Sequence, residues 1–156
     1  MSIQNGRQAP DFTLFDTENK AVTLSEQKGK NVVLLFFPAA FTGVCTKELC
    51  SFRDNLSRYN DMDAQVYGIS VDMPFTLGEF RKQNNLNFPL LSDFNKEASK
   101  AYDTIYENWI MGMRGVSKRS AFVIDKEGNI VHSEVLENAG EEPDYEAIDA
   151  ALAKLS

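Results

Sequence analysis

The sequence predicts an α/β fold in which a mixed central β-sheet is covered by helices on both faces. Each half of the chain carries a pair of short apolar segments separated by a polar turn, the pattern of an antiparallel hairpin. Between these pairs lie a β-rich segment, an amphipathic helical segment and a second β-rich segment, which is typical of a βαβ unit with parallel strands. With 156 residues, 43% apolar and 25% charged, one domain spanning residues 1–156 is expected.

The N-terminal elements are a hairpin and a buried strand. Segments 9–15 and 21–24 flank the polar segment 16–20 and predict two short strands at an edge of the sheet. Segment 31–37 is almost continuously apolar, as expected of a central strand that is covered on both faces. Pro38 lacks a backbone donor and therefore ends this strand.

A change of period after residue 45 predicts the helix of the βαβ unit. Apolar residues recur on one helical face over about four turns from residue 46. The strand 65–71 and a helix over 75–83 follow, and Pro74 suits the first turn of that helix. The residues of the apolar face are Leu49, Phe52, Leu56 and Tyr59.

The remaining elements are shorter, apart from a second hairpin and a final helix. Segment 88–91 predicts a short extended piece and segment 96–102 a short helix. Apolar segments 120–125 and 130–135 surround the turn 126–129, so antiparallel strands are expected there. A terminal packing helix is predicted by the spacing of Tyr145, Ile148, Leu152 and Leu155.

Composition and charge exclude several classes of function. A net charge of -7 without a basic cluster makes nucleic acid a poor partner. The apolar run 32–41 is too short for a membrane helix, and residues 1–6 lack a secretory leader pattern, so a cytoplasmic protein without a membrane partner is expected. Two cysteines and His132 cannot complete a four-ligand zinc site, and no metal or other cofactor is expected.

Cys45 is the candidate reactive residue. If the helix begins near Gly43, Cys45 lies in its first turn, where free backbone N–H groups and the helix dipole stabilise an anion. Helix N-termini lower the pKa of thiols below the free value of about 8.5 and so favour the thiolate, the nucleophilic form. The alternative is a buried and unreactive structural cysteine, which is common for a lone cysteine.

A spaced motif around Cys45 favours the reactive interpretation. The segment reads P-x-x-x-T-x-x-C-x-x-E, formed by Pro38, Thr42, Cys45 and Glu48. With this motif the sequence resembles the peroxiredoxin family over nearly the whole chain, from 9–12 through 88–93 to Arg119. The resemblance implies a thioredoxin-like fold and a thiol-dependent peroxidase. Its implied substrates are hydrogen peroxide and organic hydroperoxides, reduced through a cysteine sulfenic acid.

The resemblance also implies a role for each residue of the motif. Cys45 is expected to be the peroxidatic cysteine, Thr42 to contact the peroxide through its hydroxyl, and Pro38 to shield the site. Arg119 is expected to supply a guanidinium, which Glu48 would orient. Taken singly, each residue has another interpretation: Arg119 as a surface arginine, Thr42 as a helix N-cap, and Pro38 as a strand terminator.

The second cysteine leaves the recycling step open. Attack on peroxide yields a sulfenic acid on Cys45, which a thiol must reduce. Cys50, five residues on, resembles the resolving cysteine of the bacterioferritin-comigratory branch, whereas segments 36–38, 40–43 and 92–94 are most similar to the one-cysteine alkyl hydroperoxide reductase E branch. Helical residues five apart have Cα atoms about 8.6 Å apart, beyond the roughly 7 Å limit for a disulfide, so a bridge requires unwinding. The alternative reductant is external: thioredoxin, glutaredoxin or a low-molecular-weight thiol.

Substrate and partners are less constrained by the sequence. Three positions are open for the apolar segment 107–113: the mouth of the site, a contact with a second subunit, or ordinary packing against the sheet. Convergence of Phe41, Trp109 and Met111 on Cys45 would favour organic hydroperoxides. The resemblance implies a homodimer. Two other functions compete with the peroxidase: thioredoxin-type thiol–disulfide exchange, which would require C-x-x-C, and a peroxide-sensing redox partner.

Overall fold

Seven strands form one sheet in the part of the chain, residues 5–155, that the computed structural model describes. The strands are β1 (Thr13–Asp16), β2 (Ala21–Thr23), β3 (Asn31–Phe36), β4 (Ala64–Ser70), β5 (Leu90–Ser92), β6 (Arg119–Ile124) and β7 (Ile130–Leu136). The helices are α1 (Gly43–Asp54), α2 (Leu56–Asp61), α3 (Pro74–Gln83), α4 (Glu97–Ala101) and α5 (Tyr145–Ala153). Two short 3-10 helices cover Leu24–Gln27 and Ile110–Gly112.

The sheet is mixed, as the sequence predicts. Its order is β2-β1-β5-β4-β3-β6-β7. Strands β3 and β4 pair in parallel, which confirms the βαβ unit. The β1–β2 and β6–β7 pairs are antiparallel, which confirms both hairpins, and β2 lies at an edge.

Two apolar layers cover the sheet. Alternate residues of β3 point to opposite faces: Val33 and Leu35 pack with α1, α3 and α5, whereas Val32, Leu34 and Phe36 pack with α4 and the N-terminal segment. This two-sided burial explains the unbroken apolar run of β3. Helices therefore lie on both faces, as predicted. Within residues 5–155, no helix combines the length and apolarity required to cross a membrane.

The single helix predicted from residue 46 is two helices. Helix α1 ends at Asp54 and α2 begins at Leu56. The residue between them, Asn55, has φ −112° and ψ 13°, and its Nδ2 donates to the carbonyl of Ser51 at 2.8 Å. Short polar side chains compete with the backbone in this way, and the apolar period that continues through Leu56 conceals the break.

The topology brings the start of β6 to the start of α1. Strand β6 runs antiparallel to β3, with Ser120 opposite Phe36 at the carboxyl end of β3. The loop after β3 leads directly into α1. Arg119 and the first turn of α1 therefore meet at the carboxyl end of β3, although they are distant in the sequence.

Candidate active site

Cys45 lies in the first turn of α1. The first backbone bond of this helix runs from the N–H of Thr46 to the carbonyl of Thr42 (3.0 Å). The N–H groups of Gly43, Val44 and Cys45 precede that bond and have no acceptor within the helix. Cys45 is only 1% exposed, and its thiol is free rather than disulfide-bonded. The predicted helix start is thus confirmed.

Arg119 is buried against Cys45. Its Nη2 donates to Sγ of Cys45 at 3.1 Å and to the carbonyl of Ala139 at 2.9 Å, and its Nε donates to the same carbonyl at 3.2 Å. Arg119 is 2% exposed, so the interpretation as a surface arginine is wrong. Burial opposes the charge of the guanidinium, but attraction from Glu48 and Cys45 outweighs it and raises the pKa of Arg119.

Glu48 holds the other side of the guanidinium. Nη1 of Arg119 donates to Oε1 of Glu48 at 2.8 Å, and Glu48 is fully buried. Three residues after Cys45 in the helix, it faces the same side as Cys45. Burial raises the pKa of Glu48 from 4.5 to about 7, and the attraction of Arg119 opposes this rise.

Thr42 stands at the N-cap position but does not cap the helix with its side chain. Its Oγ1 donates to the carbonyl of Ala39 at 2.8 Å. The N-cap interpretation is therefore wrong for the hydroxyl. Because the hydroxyl donates its hydrogen to Ala39, the lone pairs of its oxygen are free to accept a hydrogen bond from a molecule in the cleft.

The loop between β3 and α1 is held in a constrained conformation. Phe41 has φ +67°, a left-handed value that costs a residue with a side chain on the order of 1–2 kcal/mol. Its ring packs edge-on against Phe80 at 5.2 Å. Nearby, the N–H of Ala40 donates to Oδ2 of Asp72 at 2.8 Å. Pro38 is buried in this loop directly after β3.

A cleft of about 430 Å³ opens above Cys45. The three site residues that line it are Thr42, Cys45 and Arg119, and its apolar side comes from Trp109 and its neighbours. Phe41, Met111 and Pro38 are not among its lining residues in the described part of the chain. Of the three residues whose convergence on Cys45 would favour organic hydroperoxides, Trp109 alone therefore lines the cleft. The rest of the cleft is lined by Gly43, Val44, Tyr106, Ile110, Glu137, Asn138, Ala139 and Gly140.

Cys50 lies on the same unbroken helix as Cys45. It is half-buried and packs against the core, and its Sγ lies 3.9 Å from Oδ1 of Asn84. Cys50 is thus in contact with core residues, although it stands outside the main apolar stripe. A Cys45–Cys50 disulfide would require the first turns of α1 to unwind.

Two parts of the site carry little or no signal in the sequence. The carbonyl of Ala139 accepts two bonds from Arg119, but every residue has a carbonyl, so composition cannot single it out. Asp72 supports the loop before α1 from the end of β4. Its position after a predicted strand that is parallel to β3 is the one clue that could have identified it.

Comparisons with known proteins agree with this geometry. The sequence matches the model of the AhpC/TSA family over residues 5–133. Peroxiredoxin Bcp of Bacillus subtilis is 38% identical over 133 residues, 84% of each chain. Alkyl hydroperoxide reductase E of Mycobacterium bovis is 40% identical over 154 residues, 97% of each chain. A crystal structure of the peroxidoxin BcpB from Mycobacterium tuberculosis is 31% identical, with a TM-score of 0.83 over 98% of this chain and 96% of that one.

These matches cover most of the chain and extend to its fold, which confirms the thioredoxin-like architecture. They favour a peroxidase over thioredoxin-type exchange or a peroxide-sensing partner. The chain therefore belongs to the AhpC/TSA family, the peroxiredoxins, and is a thiol-dependent peroxidase.

Proposed function

We propose that Cys45 is the peroxidatic cysteine, and that Arg119, Thr42 and the first turn of α1 form its site. The observation that carries this proposal is the 3.1 Å bond from Arg119 Nη2 to Cys45 Sγ at the foot of an open cleft. The guanidinium places a positive charge and an N–H donor against the sulfur. The thiolate is the form that attacks a peroxide oxygen.

The same groups can stabilise the negative charge as it moves from sulfur to oxygen during the reaction. When sulfur attacks one peroxide oxygen, the bond between the two oxygens breaks, and negative charge passes from sulfur to the departing oxygen. Arg119 and the N–H groups of the first turn of α1 are donors placed around that path. Oγ1 of Thr42 can accept a hydrogen bond from the O–H of the peroxide, since its own hydroxyl donates to Ala39. Pro38 acts indirectly, by ending β3 and burying the start of the loop.

The cleft supports both hydrogen peroxide and organic hydroperoxides as substrates. Its volume of about 430 Å³ has room for a group bonded to the peroxide, and Trp109 and Ile110 supply apolar surface. Only an organic hydroperoxide can use that surface. Trp109→Ala should therefore slow the reaction with an organic hydroperoxide more than the reaction with hydrogen peroxide.

The sulfenic acid on Cys45 can be reduced by two routes. Cys50 reduces it after α1 unwinds, or an external thiol such as thioredoxin, glutaredoxin or a small thiol enters the cleft. The intact helix and the packing of Cys50 against the core support the external thiol, because unwinding would cost those contacts.

Mass spectrometry after one equivalent of peroxide tests the proposal. Gain of one oxygen on Cys45 supports both its role and an external reductant, whereas loss of two hydrogens across Cys45 and Cys50 supports internal resolution. Cys50→Ser should give the oxygen adduct in either case, and Cys45→Ser should give neither product. Oxidation of Cys50 alone, with Cys45 unchanged, would overturn the assignment of Cys45.

We also propose that the chain forms a homodimer through one apolar patch. Phe15, Met73, Phe75 and Phe94 are each about half exposed or more, and together we call them the β1–α3 patch. They line two adjoining depressions that share Phe15 and Pro74. Contiguous exposed apolar surface of this kind marks a protein–protein contact.

A further inference from the structure

One buried guanidinium serves two acidic groups in the active site. Arg119 donates to Glu48 Oε1 through Nη1 (2.8 Å) and to Cys45 Sγ through Nη2 (3.1 Å). All three side chains are at most 2% exposed. If Cys45 and Glu48 were both ionised, two buried negative charges would share a single positive charge, which is costly.

The second carboxyl oxygen indicates which group carries the proton. Oε2 of Glu48 is buried and has no hydrogen-bond partner among the described residues. Leaving a buried oxygen without a partner costs more free energy when the group is charged than when it is neutral. The surroundings of Oε2 therefore favour a protonated carboxyl while Cys45 is a thiolate.

The charges around Glu48 act in the same direction. Repulsion from Glu134 on β7 and from Glu142 before α5 opposes its ionisation. Each of these acids has its own partner, with His132 Nε2 3.0 Å from Glu134 and Lys47 Nζ 3.2 Å from Glu142. The other titratable groups facing Glu48 are Cys45 on its own helix, Arg119 on β6 and Tyr145 on α5.

We propose that Glu48 holds a proton while Cys45 is a thiolate and releases it when Cys45 becomes a sulfenic acid. The net charge of the buried cluster then stays at zero through the reaction, because the carboxylate of Glu48 replaces the lost thiolate as the partner of Arg119. Glu48 is in this sense a positioning residue, since it acts on Cys45 through the guanidinium.

The step balances. A sulfur–oxygen bond forms, the oxygen–oxygen bond breaks, and its electron pair leaves with the alkoxide or hydroxide. That anion takes a proton from water in the cleft, and the proton released by Glu48 neutralises the hydroxide so formed. One carboxyl, one thiolate and one hydroperoxide thus give one carboxylate, one sulfenic acid and one alcohol or water.

Infrared difference spectra test this exchange, which rests on the proposed role of Cys45. The spectrum of Cys50→Ser protein is recorded before and after one equivalent of hydrogen peroxide. We expect the loss of one protonated-carboxyl C=O band per chain and the appearance of carboxylate bands. Adding Glu48→Gln should abolish both changes, and adding Glu134→Gln should retain them.

The outcomes separate this inference from the assignment of Cys45. Mass spectra of the same samples report whether Cys45 gained an oxygen. If it did and no carboxyl band was lost, or if the band loss persisted in Glu48→Gln, the proton exchange is overturned while the role of Cys45 stands. If Cys45 gained no oxygen, its assignment is overturned. The Cys50→Ser spectrum alone decides the point if Glu48→Gln fails to fold.

Discussion

Besides Cys45, Arg119 is the residue on which the rate of peroxide reduction should depend most. A thiol of ordinary pKa is already a few per cent ionised near pH 7, so full ionisation accelerates the reaction only by roughly tenfold to thirtyfold. Losing a buried donor to the developing charge costs about 100-fold or more. We therefore predict that Arg119→Ala loses at least about 100-fold in rate, measured by stopped flow at a pH at which the thiol is fully ionised.

Substitutions at Thr42 provide a second test of the contacts around the reacting peroxide. Thr42→Val removes the hydroxyl but keeps the shape, and it should also lose more than ionisation explains. Thr42→Ser, which retains the hydroxyl, should remain within a few-fold of the unchanged protein. Rates equal to the wild type in Arg119→Ala and Thr42→Val, at full ionisation, would refute the importance of hydrogen bonds to the peroxide oxygens.

Glu48 should make the stability of the protein depend on pH. Its pKa is raised by burial from 4.5 to about 7, so the folded state keeps a proton that the unfolded state has lost. Stability from this group is therefore fully present below pH 4.5 and declines as the pH rises through about 7. A shift of this size corresponds to on the order of 3 kcal/mol of unfolding free energy.

Urea unfolding of the wild type and Glu48→Gln measures this contribution. Glutamine keeps an acceptor for Arg119 but cannot ionise. The variant should gain up to about 3 kcal/mol relative to the wild type between about pH 5 and pH 8. A constant difference between the two proteins over that range would show that Glu48 does not titrate in the folded state.

Sequence reasoning at the residue scale succeeded where the spacing is local. Cys45 and Glu48 are three residues apart, so a helix alone places them on one side. Arg119 is 74 residues from Cys45, and only resemblance to a family pointed to it. The carbonyl of Ala139 and the carboxylate of Asp72 were missed, because their roles arise from loops whose positions depend on the whole fold.

At the scale of elements, the start of α1 depends on a contact with β4. Because β3 and β4 are neighbouring parallel strands, the segments that follow them meet at the carboxyl ends of both strands. There Oδ2 of Asp72 accepts from the N–H of Ala40 (2.8 Å) and from Oγ of Ser70 (2.7 Å). This carboxylate holds the loop that sets the position of Cys45.

Asp72→Ala should weaken both the fold and the reaction. Two buried or half-buried donors lose their acceptor, which costs about 1–3 kcal/mol of unfolding free energy. The peroxide rate should fall by about tenfold, because small displacements of a reacting group are costly. Asp54→Ala, at an exposed ion pair with Arg53, is the control and should change stability by less than about 0.5 kcal/mol. Equal effects of the two substitutions would contradict the role of Asp72.

Element boundaries were predictable where a chemical signal marks them. Pro38 ended β3 and Pro74 opened α3, since proline restricts the backbone in both cases. The break at Asn55 was not predictable from periodicity, because Leu56 and Tyr59 continue the apolar stripe beyond it. The hydrogen bond from Asn55 to Ser51, which accompanies the break, appears only in the structure.

At the scale of the whole molecule, pattern predicted the architecture but not the order of the strands. Hairpins and a βαβ unit require a mixed sheet, whichever strands become neighbours. The N-terminal hairpin joins the sheet through the pairing of β1 with β5, and no local signal in the sequence specifies this pairing. That pairing also brings Phe15 close to Phe94 and so assembles the β1–α3 patch.

The β1–α3 patch should hold two chains together. Phe75 is 82% exposed, so Phe75→Asp removes little packing within one chain but places a charge in the proposed contact. Sedimentation at micromolar concentration should give twice the mass of one chain for the wild type and a single chain for Phe75→Asp. Ala150→Asp, on the exposed side of α5, which packs against β6 and β7 near the opposite edge of the sheet, should remain dimeric. A wild type that sediments as a monomer would rule out this patch as the contact. A dimer that persists in Phe75→Asp would rule it out as well, because burying an unpaired charge in the contact is too costly for association to survive.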